Sequence, residues 1–315
     1  MSKHQVPFQK GFSLVDCMGQ YGTEAQCADA LFKARWPSGC RCPACGGDRH
    51  SLVKTRDLYP CSAGHHPASL TAGPLFEQTK LPRTTWFLAI HWFTQAKIGL
   101  SARALRRQIG VSYNTAWSVK HKLMPALQEC DDGNRRGGLI PLDDGYWGGE
   151  RHGGQRGRGA EHKTPCVAAV ALKEDRHPIA MSRQVVTGCR SAEIARWAKQ
   201  RLRPGRLVCS DGLACLAAVT QAACRPVCIV TGGGPHSVTR EAFTWVNTRM
   251  GHVKNALHGS SHAMNPTHLP RYLAEFCDRC NRRFDLEAMM PKFLHAAART
   301  PPMPYRLLKL AEAYG

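Results

Sequence analysis

Acidic side chains are scarce in this chain: 23 Asp and Glu stand against 43 Lys and Arg in 315 residues, a formal charge of +20. Basic residues recur in every segment, so the whole surface attracts a polyanion, and nucleic acid is the first candidate. Long apolar runs are also lacking. No stretch approaches the roughly 20 uninterrupted apolar residues of a spanning helix, and the start MSKHQVPFQKGFS has no apolar signal-peptide core. The expectation from these absences is a cytoplasmic protein with no membrane partner. Cysteine is plentiful, at 15. Without a secretion signal the thiols predict metal ligands and packing, not a disulfide framework. Cys166, Cys209, Cys215, Cys224 and Cys228 lie in apolar surroundings, where cysteine packs as a small hydrophobe.

The length allows two or three compact units. Residues 22–35 carry apolar side chains at helical spacing, and WPSG ends the run. A metal-site pattern follows: Cys42 and Cys45 form a CxxC, and fifteen residues separate Cys45 from Cys61. A zinc ribbon needs two such knuckles to close a tetrahedral site. The second lacks its partner cysteine, since position 64 is Gly64, so His65 or His66 must supply the fourth ligand if Zn²⁺ is bound, with Cys40 a further candidate. Residues 1–82 are read as this helix plus ribbon.

Residues 83–130 predict a helix-turn-helix. TTWFLAIHWFTQAKIG has an apolar helical face, and LSARALRRQIGVSYNTAWSVKHKLMPAL places a turn at Ile109–Ser112. Ser112 would cap the second helix, which presents Tyr113, Asn114, Ser118 and Lys120 beside a buried face of Ala116, Trp117 and Leu123. Many helical hairpins share this pattern. Arg103, Arg106, Arg107, Lys120 and Lys122 strengthen the case for DNA contact.

After the linker DDGNRRGG, apolar runs at 139–142, 166–172 and 178–186 predict three strands, the last two joined by a tight turn at Lys173–His177. A helix over 191–202, a strand over 206–210, a helix over 213–223 and a strand over 226–230 come next. This order predicts an α/β fold with an RNase H-like mixed sheet over residues 131–290, followed by a helical tail, 291–315, that packs on the core or on a partner subunit. Asp143 would leave the first strand and Asp211 would end the fourth. Carboxylates converging from neighbouring strand ends can hold a pair of Mg²⁺ (or Mn²⁺) ions, the arrangement of a metal-dependent phosphoryl-transfer site. Asn247 lies in a helical segment striped by Val246, Met250, Val253 and Leu257, and Lys254, nearly two turns on, projects from the same face. Singly, Asp143-Asp144, Asp211-Gly212 and Asn247 would each be read as cap, turn and surface residues; together with the sheet order they favour a site. The Gly- and Arg-rich stretch 150–163, with Arg156 and Arg158, suits closure over DNA phosphates or forms a solvated hairpin tip.

The segments RWPSGCRCPACGG, LDDGYWGGE, CSDGLACL, WVNTRMGHVKNALHG and HLPRYLAEFCDRCNRRFDL resemble insertion-sequence transposases with an N-terminal zinc ribbon and a DDE-type core, the fifteen ninety-five family. The likeness runs over nearly the whole chain. It implies a prokaryotic, nucleoid-associated enzyme, a DDNK set of Asp143, Asp211, Asn247 and Lys254, double-stranded DNA partners (terminal inverted repeats and target), and a homo-oligomer in the synaptic complex. Gly64 for a ribbon cysteine and Cys280 for an aromatic depart from the pattern. A non-catalytic DNA-binding regulator or inactive relic, and a structure-selective nuclease on the same fold, are the alternative readings.

Overall fold

The computed structural model describes residues 10–42, 44–53, 58–64, 66–132, 135–148, 163–230, 240–261 and 264–310. The chain divides into two compact units, Met1–Cys130 with Arg282–Gly315, and Asp131–Asn281. The second unit therefore ends at residue 281, short of the expected boundary at 290. The ribbon, the helix-turn-helix and the C-terminal tail share the other unit.

In the first unit, α1 (Leu14–Tyr21) and α2 (Glu24–Arg35) each begin with a capping box, Ser13 with Asp16 and Thr23 with Gln26. Such reciprocal caps satisfy amide groups that the first helical turn leaves free. A two-stranded antiparallel ribbon, β1 (Leu58–Pro60) and β2 (Pro67–Ser69), carries the second knuckle between its strands. Then come α3 (Arg83–Gln95), α4 (Ala102–Ile109) and α5 (Tyr113–Asp132). Gly110 closes α4 in the left-handed region at φ 68°, and the Ser112 hydroxyl accepts from the Thr115 amide at 3.1 Å. The expected turn and cap are therefore in place. The tail helices, α9 (Met289–Ala297) and α10 (Tyr305–Leu310), pack back on these elements. The His295 ring donates to the Ala34 carbonyl at 3.1 Å, Phe293 meets Phe93, and Tyr305 sits edge-on to Trp117.

The second unit is a five-stranded mixed sheet in the order β5-β4-β3-β6-β7. Its strands are β3 (Ile140–Trp147), β4 (Thr164–Leu172), β5 (Pro178–Val185), β6 (Leu207–Ser210) and β7 (Arg225–Cys228). β3 to β5 form an antiparallel meander, while β6 and β7 add in parallel to β3. This is the mixed sheet expected of an RNase H-like core. Side-chain alternation along β3 and β4 divides the interior into two layers. Ile140, Leu142, Val167 and Ala169 pack under α6 (Ser191–Arg201) and a helix of 3₁₀ type (Ala214–Ala222), where the sequence predicted a helix. Cys166, Ala168 and Val170 pack under α7 (Thr244–Ser260) and α8 (Leu269–Arg282). The distinctive HLPRYLAEFCDRCNRRFDL segment supplies scaffold: Cys277 and Cys280 are buried core residues, and Asn281 brackets Met181 of β5, donating to its carbonyl at 3.0 Å and accepting from its amide at 2.7 Å.

Candidate functional site

β3 and β6 pair only at Ile140↔Val208 and Pro141↔Cys209. Beyond that pair, β3 continues alone on this side to Trp147, so Asp143 lies within the strand rather than leaving it. Asp143 and Asp144 of β3 lie just past the last residue paired with β6, and Asp211 is the first residue after β6. Asp143 is in register with Ala168, on the α7 face, and Asp144 with Val167, on the α6 face. Asp211 follows β6 directly. Carboxylate oxygens of Asp143, Asp144 and Asp211 all lie within 4.8 Å of one another, and all three residues are half-buried.

Local structure around Asp211 fixes its direction. Its Oδ1 accepts from the Leu213 amide at 3.1 Å, and Gly212 turns the chain at φ 93°. A Cβ on Gly212 would lie 2.8 Å from Cys228 Sγ, closer than real Cβ contacts come, so both the backbone angle and the space demand glycine. Cys228 is exposed, against the expectation that it packs; Cys166, Cys209, Cys215 and Cys224 are buried as expected.

α7 lies along β3. Met250 Sδ comes within 3.3 Å of where a Cβ on Gly145 would stand, and the His258 ring stacks on Trp147 at 5.5 Å. The apolar stripe is borne out, with Val246, Val253 and Leu257 buried. Asn247, half-buried, is one turn before Met250, and Lys254 is exposed. One cation escaped the sequence reading. Arg183 of β5 is only 4% exposed, and its guanidinium lies beside the Cys166 thiol, which burial pushes up and the Arg183 charge partly brings back down. It faces the α7 side, in register with Ala168 and, one strand further, Asp143.

In the ribbon, the Sγ atoms of Cys42, Cys45 and Cys61 also lie within 4.8 Å of one another, with Cys45 and Cys61 at 3.5 Å. The first knuckle folds tightly: the Cys42 amide donates to the Gly47 carbonyl at 2.9 Å, and the Gly46 amide to the Cys42 carbonyl at 2.8 Å. At the second, backbone amides of Gly64 and Ala63, with smaller help from Cys45 and Cys42, bring the Cys61 thiol down to about 7. Elsewhere burial pushes Cys17 up to about 11 and Cys27 up to about 12. Three cysteine sulfurs gathered on two tight turns are donors of the type that zinc takes. Cys40 pairs instead with His50 Nε2 at 3.6 Å, His66 is exposed, and His65 lies outside the described residues.

On the helix-turn-helix, Arg106, Arg107 and Asn114 are exposed and Tyr113 is 45% exposed. Lys120 is not presented outward. It is 1% exposed and donates from Nζ to the Leu100 carbonyl at 2.7 Å, because helical spacing puts it on the side of Ala116, Leu123 and Leu127. Arg156 and Arg158 lie outside the described residues. Among the described residues no helix is long and apolar enough to cross a membrane.

Both clusters fall within segments that match known families. Residues 136–281 match the ISXO2-like transposase domain, nearly the bounds of the sheet-bearing unit, and residues 22–66 match the transposase zinc-ribbon domain. The chain is 28% identical over 173 residues to an uncharacterized protein in transposable element ISH50 of Halobacterium salinarum, an alignment covering 50% of this chain and 58% of that protein. Ribbon and acid-bearing sheet occur in the chain order that both matches require, and the chain belongs to the fifteen ninety-five family of insertion-sequence transposases.

Proposed function

We propose that this transposase binds the terminal inverted repeats of its element, hydrolyses a phosphodiester at each end and joins the freed 3′-hydroxyl to target DNA. The observation that carries the reading is the convergence of Asp143, Asp144 and Asp211 where β3 runs on past its pairing with β6. In the first step a water oxygen attacks phosphorus and the bond to the 3′ oxygen breaks. In the second that 3′-hydroxyl attacks a target phosphodiester and displaces the target's own 3′ oxygen. Each step exchanges one P–O bond for another, and no covalent enzyme intermediate forms.

Asp143, Asp144 and Asp211 are the residues that would hold Mg²⁺ or Mn²⁺. Two such ions, when bound, activate the attacking oxygen and stabilise the leaving one. The protein's own residues position the rest. Asn247, one turn from the Met250–Gly145 contact, orients the attacking group through its amide, and exposed Lys254 holds a DNA phosphate. Arg106, Arg107, Tyr113 and Asn114 contact the terminal repeat, and Arg156 and Arg158 enter the reading by charge alone. Action at paired ends calls for at least a dimer.

The test is incubation of purified protein with labelled DNA from both flanks of its own gene, with Mg²⁺ or Mn²⁺, beside Asp211→Ala. Discrete wild-type nicks at an inverted-repeat boundary, absent in the variant, are expected. Specific binding with no nicks under either ion would replace this reading with that of a DNA-binding regulator. Cutting of branched DNA irrespective of terminal sequence would replace it with that of a nuclease.

A further inference from the structure

The sheet-bearing unit carries a cluster of arginines at the end opposite its carboxylates, where the parallel strands β3, β6 and β7 begin. Backbone bonds braid the approach to β3 with the connection from α6 to β6. The Arg136 amide donates to the Arg201 carbonyl at 2.7 Å, and the Arg203 amide to the Arg136 carbonyl at 2.8 Å. At the start of β7, the Arg225 amide donates to the Arg206 carbonyl at 2.8 Å. Side chains gather on this frame. Arg203 Nε donates to the Arg135 carbonyl at 3.1 Å, and the Nε atoms of Arg203 and Arg206 both lie within 4.0 Å of the point that a Cβ on Gly137 would occupy. Arg135, Arg203, Arg206 and Arg225 are all exposed. Beside Arg206 a groove of about 350 Å³ leads to Lys173, Glu174 and Arg176, and Arg176 is paired with Glu241 at 2.6 Å. Acids there match the bases, so the excess charge rests on the four arginines.

Like charges held together repel, and a polyanion relieves that repulsion. Guanidinium groups suit phosphate in particular, because their planar fork donates two parallel hydrogen bonds to it. The place of the cluster says which phosphates it can reach. β6 has only four residues, Leu207–Ser210, and at the rise of a strand Arg206 and Asp211 stand about 16 Å apart along it. A phosphodiester held at the carboxylates is out of reach of these arginines. We propose that Arg135, Arg203, Arg206 and Arg225 form a second DNA surface, which takes the phosphate backbone of a duplex segment other than the one at the carboxylates. The proposal rests on the reading of this chain as acting on DNA. Phosphate contacts carry no sequence information, so the surface suits a segment of arbitrary sequence, as target DNA is.

The test measures the affinity of the full chain for a duplex unrelated to its element, across a range of salt. Arg206→Gln/Arg225→Gln is expected to weaken that binding about tenfold and to reduce the slope of log K against log salt by about two counterions. Arg206→Lys/Arg225→Lys keeps both charges and should keep the slope. Lys292→Gln/Arg299→Gln, which removes as much charge from exposed positions of the tail, should keep it too. The second segment is read directly once flanking DNA of the element is bound to saturation. Wild type should then still capture the unrelated duplex, and Arg206→Gln/Arg225→Gln should capture it about tenfold more weakly. An unchanged slope in that variant, or an equal fall in the tail control, would overturn the surface. Wild type that captures no second duplex would also overturn it, by returning the arginines to the segment at the carboxylates. Wild type that binds no duplex at all would instead overturn the reading of the chain as acting on DNA. Arg225 lies on the edge strand of the sheet, so Arg225→Gln alone, expected to lower the slope by about one, keeps the test open if the double variant fails to fold.

Discussion

The molecule holds two clusters of metal-ligating side chains of similar tightness, and they are built in opposite ways. The thiol cluster is local: CxxC and Cys61 sit on tight turns at the ends of a two-stranded ribbon, and every donor arises within residues 42–61. The carboxylate cluster joins positions 143, 144 and 211, brought together only because β6 adds in parallel beside β3. Spacing therefore identified the first at once, whereas the second needed the strand order. A turn-borne cluster depends on the few residues of each knuckle, where Gly64 lies against Cys45 and Cys61. A sheet-borne cluster has its backbone fixed on both sides by packed layers, and it can accommodate an additional acid.

The largest effect expected from breaking this contrast is on the carboxylates. Asp143→Ala or Asp211→Ala should lower metal-dependent nicking by roughly a thousandfold or more, the scale of losing a group that stabilises transition-state charge. Binding to the same DNA, followed by gel shift, should change only a few-fold. Near-wild-type nicking in either variant would remove the assignment. Asp144→Ala should lie between, at about 10–100-fold, and should raise the Mg²⁺ concentration needed for half-maximal cleavage. A variant with unchanged metal dependence would reduce Asp144 to a strand residue that hydrogen-bonds Cys189, which lies 3.9 Å from it.

A smaller effect probes the scaffold. Gly212→Ala imposes both the left-handed backbone angle and the close contact with Cys228 Sγ, so a loss of about 1–3 kcal/mol is expected, measured by denaturant unfolding. Placing the change in a Cys228→Ala background removes the contact and leaves the backbone part, so roughly half the loss should return. Full recovery would show that the angle itself is cheap here.

Much of the fold was legible. The three antiparallel strands, the hairpin at Lys173–His177, α6, β6 and the helix-turn-helix all lie within a few residues of their expected positions. The reason is that each is carried by local periodicity or by a turn residue such as Gly110. What was missed is non-local. Asp144 adjoins Asp143 on a strand, so alternation sends the two to opposite faces, and only the gap past Pro141 lets both carboxylates meet Asp211. The partners of the tail helices are set by α2, α3 and α5, more than 150 residues earlier in the chain. Arg183 gave no signal, because a cation in a strand is ordinarily read as surface.

Lys120 failed for a different reason, one that the sequence did contain. Its spacing from Ala116, Leu123 and Leu127 puts it on the inner face of α5, and its ammonium caps the Leu100 carbonyl beside the start of α4. The sequence reading had put it with Tyr113, Asn114 and Ser118 on the outer face of this helix, with its charge as support for DNA contact. The smallest prediction separates the two roles. Arg106→Ala or Arg107→Ala should each weaken DNA binding and reduce the slope of log K against log salt by about one counterion, with stability unchanged. Lys120→Met should leave that slope intact and destabilise the helical unit by about 1–3 kcal/mol, since the Leu100 carbonyl loses its donor. A reduced salt slope in Lys120→Met at unchanged stability would return this lysine to the DNA interface and reverse the correction.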